Sequence, residues 1–205
     1  MKLAELELAV TRHLGQLHCS RINGSGAKKV VDFRHLVSPP VHGEPLPSVG
    51  RLADFYDTFG SVVFYADEKT GDAAVHIASP NEWPALREYF DGWFEHITDG
   101  ERKEYLPPWL DTCMVIGEMP HTGNYIVMPT EGAEVGRVFE FDHDGFEFRE
   151  QAPDLVDYAW RLLDIDGSRL ASFASHMRFV EGDPMIQWWI DEMRDNRGNF
   201  ASTAA

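Results

Sequence analysis

One pair of carboxylates in this sequence has a spacing that could support catalysis. Asp164 and Asp166 are two residues apart and are followed by Gly167 and Ser168. Two carboxylates at this spacing could hold a magnesium ion, while the first attacks a phosphorus atom and the second transfers the proton. A glycine after a helical stretch is also typical of a helix end, which would make these residues structural. The secondary structure around the pair distinguishes a catalytic role from a structural one.

This spacing resembles the D-x-D-G-T motif of haloacid-dehalogenase-type phosphatases, but its surroundings differ from those of the family. There the motif ends a buried strand near the start of a long α/β domain, and a basic residue, usually lysine, follows later. Here it follows an amphipathic helix, and the last lysine of the chain is Lys103. A metal-dependent phosphatase that uses Asp164 and Asp166 is therefore kept as the weaker alternative to a helix boundary.

A second acidic cluster, residues 142–145, could suggest a calcium loop. An EF-hand loop needs glycine at its sixth position and glutamate at its twelfth. Counted from Asp142, glycine comes fourth, and Ala152 and Pro153 fall where the glutamate is needed. Asp144-Gly145 is instead typical of a two-residue β-hairpin turn. The sequence therefore predicts a hairpin here and no metal site.

The other reactive residue types form no recognisable site. The nine histidines are scattered, and the chain contains no H-E-x-x-H, G-x-S-x-G, P-loop or G-x-G-x-x-G motif. Cys19 and Cys113 are the only cysteines, and neither lies in a C-x-x-C motif. The sequence therefore predicts a protein without catalytic residues, metal or cofactor.

The net charge of the chain limits the classes of partner that it is expected to bind. Acidic residues outnumber basic ones by 34 to 18 among 205 residues, which gives a net charge of −16. This charge disfavours nucleic acid and anionic membranes as ligands, and it is compatible with a basic protein partner. No stretch resembles a signal peptide or a membrane span. We therefore expect a cytoplasmic protein.

The spacing of apolar residues divides the chain into three segments. Residues 1–45 read as an amphipathic helix over 2–18 and a proline-rich connector, with the helix packed on the main domain. Residues 46–166 alternate helices with strand-like runs, which predicts an α+β domain with an antiparallel sheet. Residues 167–205 read as a helical extension with a frayed tail.

The Asp144-Gly145 turn predicts a register in which paired residue numbers sum to 289. Glu140 would then face Arg149, and Phe141 would face Phe148. Alternation places five aromatic residues on the core side, namely Phe139, Phe141, His143, Phe146 and Phe148. The opposite side would be solvated and mostly acidic. Its acids are the candidate partner-binding residues, namely Glu140, Asp142 and Glu147, with Asp144 in the turn; a solvated face that only keeps the protein soluble is the alternative.

Adjacent tryptophans in the C-terminal segment are a second candidate contact. Trp188 and Trp189 fall in the predicted last helix, which begins near Asp183-Pro184. Neighbouring helical residues point about 100° apart, so both rings are buried only if the helix is widely covered. One of the two tryptophans is therefore expected to face a partner.

Several of these pieces occur in an order that resembles the SUKH superfamily. The resemblance covers residues 46–163 and is carried by these stretches in order: a helix from Leu46-Pro47 to Gly60, Trp109 ahead of Met114-Val115-Ile116-Gly117, the run Gly123-Asn124-Tyr125-Ile126-Val127-Met128, the hairpin from Gly136-Arg137-Val138-Phe139 to His143-Asp144-Gly145, and Ala152 followed by a helix through Leu163. This superfamily includes fungal cell-wall-assembly regulators and bacterial immunity proteins of polymorphic toxin systems.

The resemblance implies a strongly curved antiparallel sheet with helices packed around it, and binding rather than catalysis. It implies an immunity protein that neutralises a partner toxin by docking, and the excess of acidic residues suits a basic toxin. A regulatory scaffold, as for the fungal members, is the alternative within the same family. No catalytic or contact residue is carried over from the family.

Overall fold

A computed structural model describes residues 3–22, 26–40, 46–174, 177, 179 and 187–204. The strands are β1 (Leu14–Arg21), β2 (Lys28–Ser38), β3 (Ser61–Ala66), β4 (Val75–Ile77), β5 (Cys113–Met119), β6 (Asn124–Pro129), β7 (Val138–Asp142), β8 (Glu147–Ala152), β9 (Trp188–Asp195) and β10 (Phe200–Ser202). The helices are α1 (Leu3–Arg12), α2 (Leu52–Tyr56), α3 (Trp83–Gly92), α4 (Asp99–Tyr105), α5 (Leu155–Arg161) and α6 (Gly167–Ala174).

All ten strands belong to one antiparallel sheet with the order β10-β9-β1-β2-β3-β4-β5-β6-β7-β8. The predicted α+β class with helices packed on an antiparallel sheet is confirmed. Each of the three predicted segments supplies strands to this sheet. The N-terminal β1 pairs with the C-terminal β9 on one side and with β2 on the other.

Side chains of the sheet alternate between two apolar cores. One core lies under α1, α2, α5 and α6, and it includes Ile116, Ile126 and Val138. The other lies under α3, and it includes their neighbours Val115, Val127 and Phe139. The strands β5, β6 and β7 are therefore covered on both faces, and nearly every position in them is buried.

The predicted helix over 2–18 is wrong beyond Arg12. The helix ends there, and β1 begins at Leu14. Leu14 and Leu17 fit a helical spacing, but Leu17 and Cys19 also alternate as the buried side chains of a strand. Pairing on both sides with β2 and β9 favours the strand over the local pattern.

The predicted C-terminal helical extension is correct only for α6. Residues 188–195 form β9 rather than a helix, and the tail predicted to be frayed contains β10, with Ala201 buried against the core. The expected helix start at Asp183-Pro184 lies outside the described residues. The cause is again non-local, because β9 lies between β1 and β10 and takes its hydrogen bonds from both.

Candidate functional site

One surface combines exposed aromatic rings with acidic side chains, and we call it the acidic aromatic face. It is formed by α3, the turn that follows it, α4 and the β7–β8 hairpin. Its aromatic side chains are Tyr89, Trp93, Tyr105 and Phe146, which are 69%, 36%, 70% and 40% exposed. Large aromatic side chains at this exposure are unusual outside contact surfaces, which makes this face the candidate site.

The β7–β8 hairpin brings Phe146 to this face. The predicted register is confirmed, since Glu140 pairs with Arg149 and Phe141 with Phe148. The turn type is wrong, because the loop covers residues 143–146 and the positive φ belongs to Phe146, at 50°, rather than to Asp144 and Gly145. A four-residue loop keeps the same register as a two-residue turn, and it directs Phe146 out of the core.

Trp93 is held at the centre of the face by its neighbours. Its ring lies 4.7 Å from the ring of His143 and 6.5 Å from that of Phe146, measured between centroids. A Cβ atom on Gly123 would come within 2.7 Å of the indole, and Gly123 has a φ of +84°. The β5–β6 turn therefore needs glycine both for its backbone and for the tryptophan above it.

A groove extends the face toward the outer edge of the sheet. It has a volume of about 560 Å³, and Tyr105, Phe146 and Phe148 contribute to its lining. Glu104, Glu147 and Glu150 line the same groove, together with Arg149. An aromatic floor with a mostly acidic rim suits a basic, partly apolar segment of another protein.

Acidic side chains outnumber basic ones on this face. The segment 88–105 carries six acidic residues against Arg102 and Lys103. On the hairpin, the side chains of Asp144 and Glu147 are 85% and 56% exposed. At physiological ionic strength the field of an exposed charge extends over several ångströms.

Glu140, which the sequence places on the solvated side of the hairpin, is buried instead. Its carboxylate accepts a hydrogen bond from the Tyr158 hydroxyl at 2.7 Å and one from the Arg169 guanidinium at 2.9 Å. Burial raises the pKa of Tyr158 well above its usual value, so the hydroxyl keeps its proton and donates. The helices α5 and α6 cover the side that was expected to be solvated, so Glu140 is not available to a partner in this fold.

The other predicted contact residues fall in different places. Asp142 is half-buried beside Arg149, while Asp144 and Glu147 are exposed at the hairpin. Trp188 and Trp189 lie in β9, near the opposite edge of the sheet from β8. Both are half-buried, and the Trp189 indole donates to the Thr203 hydroxyl at 3.0 Å. The hairpin acids and the tryptophans therefore do not form one surface.

Sequence reasoning missed the exposed aromatic residues. Strand alternation places Phe146 on the core side of the hairpin, and the helical spacing of Trp93 with Leu86 and Phe90 likewise predicts a core position. Tyr89 and Trp93 are one helical turn apart among acidic residues, and this i, i+4 pair is the signal that could have indicated a surface cluster.

The aspartate pair lies between α5 and α6 rather than at the end of a strand. Asp166 accepts hydrogen bonds from the Arg169 backbone N–H at 2.8 Å and from the Ser168 hydroxyl at 2.9 Å. These bonds hold the pKa of Asp166 below its usual value. This is the position of an N-cap, so the helix boundary accounts for Asp166.

Asp166→Ala is therefore expected to lower the thermal midpoint modestly, because α6 loses its cap. Asp166→Ser should keep most of the stability, since serine caps nearly as well. Asp164→Ala, at an exposed site two residues away, is the matched control and should leave the midpoint unchanged. Magnesium-dependent hydrolysis of a phosphate ester that Asp164→Asn abolishes would contradict the structural role.

Among the described residues, one cluster has a composition that could hold a metal ion, namely Asp142, His143 and Asp144. The His143 Nδ1 atom lies 2.7 Å from the Asn124 side-chain oxygen, and the His143 backbone N–H donates to the same oxygen. The ring and its backbone are thus bound to the β5–β6 side of the face. The contact positions Trp93 and the hairpin relative to each other.

The fold is that of an α+β protein built on a ten-stranded antiparallel sheet. No protein-family model, curated protein or solved structure matches this chain. In the described residues no helix is both long and apolar enough to cross a membrane.

Proposed function

We propose that the protein is a non-catalytic binding module that docks a basic protein partner through the acidic aromatic face. Within that class, we propose a cytoplasmic immunity protein that neutralises a bacterial toxin by covering it. The observation that carries the docking proposal is the group of four exposed aromatic rings surrounded by acidic side chains.

The two kinds of side chain would have different roles in docking. Tyr and Trp supply large contact areas that lose little conformational entropy on binding, and they dominate many protein interfaces. Exposed acids raise the rate at which a basic partner arrives, and this effect weakens as salt screens the charges. Trp93 and Tyr89 would anchor the complex, while Asp144 and Glu147 would steer it.

The narrower proposal of an immunity protein rests on the resemblance to the SUKH superfamily. A basic toxin domain would carry the positive charge that complements this acidic face. Covering such a domain requires no reaction, which agrees with the absence of a recognisable catalytic motif in the sequence.

Association kinetics with the toxin domain of the adjacent reading frame would test this proposal. The double variant Asp144→Lys/Glu147→Lys should slow association about tenfold or more at low salt and flatten its salt dependence. Trp93→Ala should mainly speed dissociation, by about tenfold. The matched control is Glu5→Lys/Glu7→Lys, which changes the net charge equally but lies on α1, under the opposite face of the sheet.

The outcomes separate the docking surface from the identity of the partner. If both double variants slow association equally, the effect comes from net charge and the face is not the docking site. If co-expression does not suppress the lethality of a neighbouring toxin, or no such gene exists, the immunity function is wrong and a regulatory partner must be sought.

A further inference from the structure

The opposite half of the sheet has a face that the described helices leave uncovered. On β1 and β2, buried residues such as Leu17 and Val31 point toward the helices. The alternate residues of the same strands point to the other side of the sheet. On that side α3 covers only the half formed by the later strands, so the residues of β1 and β2 face solvent. We call this uncovered surface of β10, β9, β1 and β2 the open sheet face. It carries four exposed apolar side chains, namely Leu14 (50%), Val30 (51%), Leu36 (37%) and Phe200 (58%).

The charges on the open sheet face are balanced, unlike those of the whole chain. Its basic side chains are Lys28, Arg34, Arg194 and the adjoining Lys69, and its acidic side chains are Asp32, Asp191, Glu192 and the adjoining Glu68. Arg34 pairs with Glu68, and Arg194 donates to Glu192 at 2.9 Å while its guanidinium lies over the Phe200 ring. A local charge near zero in a chain of net charge −16 marks the surface where two copies repel each other least.

The open sheet face is also large enough for a stable contact. The four strands contain 3, 8, 8 and 11 residues, and a rise of about 3.3 Å per residue with a strand spacing of about 4.8 Å gives a flat footprint of about 500 Å². Two such footprints together bury about 1,000 Å², which is the lower limit expected for a specific interface.

We infer that two copies of this chain pair through the open sheet face as a symmetric dimer. A two-fold axis places the same surface on both sides, so the surface must complement itself. Equal numbers of basic and acidic side chains around exposed apolar ones meet that requirement. The acidic aromatic face cannot do so, because two copies would bring acids against acids. Pairing therefore leaves that face free.

The oligomeric state of the full chain, measured by light scattering and sedimentation equilibrium, tests this inference. The wild type should have twice the mass of the 23.3 kDa chain. Val30→Glu should raise the dimer dissociation constant about tenfold or more, because each dimer loses two apolar contacts and gains two buried charges. Val135→Glu is the matched control, since Val135 is 46% exposed but lies on the β6–β7 connection.

Phe200→Ser provides a second variant should Val30→Glu fail to fold. It shortens an exposed side chain on a short edge strand, and it should also weaken the dimer. A wild type that stays monomeric at its highest soluble concentration overturns the inference. A dimer that survives Val30→Glu and Phe200→Ser as well as it survives Val135→Glu also overturns it, because another surface must then form the contact.

Discussion

Replacing Arg169 with methionine is expected to lower the free energy of unfolding by about 3–5 kcal/mol. The guanidinium is the cationic partner of Glu140, and their side chains are only 18% and 11% exposed. Without it the carboxylate stays buried with the Tyr158 hydroxyl alone, and a buried charge that has lost its counter-ion is costly. The loss should appear as a lower urea midpoint with an unchanged m-value.

A second substitution shows whether the cost comes from the stranded charge. In the Arg169→Met/Glu140→Gln double variant the buried site is neutral, so much of the lost stability should return. Arg161→Met is the control, because Arg161 is exposed on the neighbouring helix. If Arg169→Met unfolds at the wild-type urea concentration, the pair does not stabilise the fold.

The burial of the Glu140–Arg169 pair determines which acidic residues can be substituted to study docking. A substitution at Glu140 would weaken binding by destabilising the fold, even if that residue never touches a partner. Asp144 and Glu147 lie on the same hairpin but are exposed, so their charges can be reversed without stranding a buried group. A change in binding caused by substituting Asp144 or Glu147 therefore reflects the docking surface rather than the stability of the fold.

Two local sequence signals predict local structure correctly. The capping box at Ser79 and Glu82 is present, with the Ser79 backbone N–H donating to the Glu82 carboxylate at 2.7 Å. The hairpin register follows from Asp144-Gly145 and is confirmed. Both features involve residues only a few positions apart, so their hydrogen bonds do not depend on the rest of the fold.

Contacts between distant residues could not be predicted from one sequence. Gly15 pairs with Asp195 across β1 and β9, and no local pattern indicates that partner. Glu140 is buried only because α5 and α6 return to cover its side of the sheet. Alternation correctly separates the two sides of the hairpin, but it cannot show that a second layer of helices covers the side that looks polar.

Acidification below about pH 6.5 is expected to destabilise the protein through two buried histidines. The backbone N–H of Tyr65 donates to Nδ1 of His35 at 3.0 Å, so the neutral ring carries its proton on Nε2. That proton is donated to Nδ1 of His13 at 2.8 Å, and His13 Nε2 in turn donates to Asp195 at 3.0 Å. A second proton on either ring would face a donor, so protonation breaks a buried hydrogen bond.

The pKa directions agree with this geometry. Burial, the neighbouring His13 and the charge of Arg197 hold the pKa of His35 well below 6.5, while burial and Arg197 lower that of His13 against the opposing effect of Asp195. The unfolded chain therefore binds protons first as the pH falls through 6.5. Stability is lost from there downward, by up to about 1.4 kcal/mol per pH unit for each histidine, until the folded pKa values are reached.

Urea unfolding of the wild type and of His13→Gln between pH 8 and pH 5 would measure this loss. Glutamine can still donate to Asp195 but cannot take up a proton, so the variant should lose less stability on acidification, even if it is less stable at pH 8. His96→Gln, at an exposed position, should follow the wild type. If stability falls equally with pH in all three proteins, acid destabilises the protein through groups other than this histidine pair. A steeper loss in the wild type would show that a histidine pair that must stay neutral holds three segments of the chain together. His13 lies between α1 and β1, His35 lies in β2, and Asp195 ends β9.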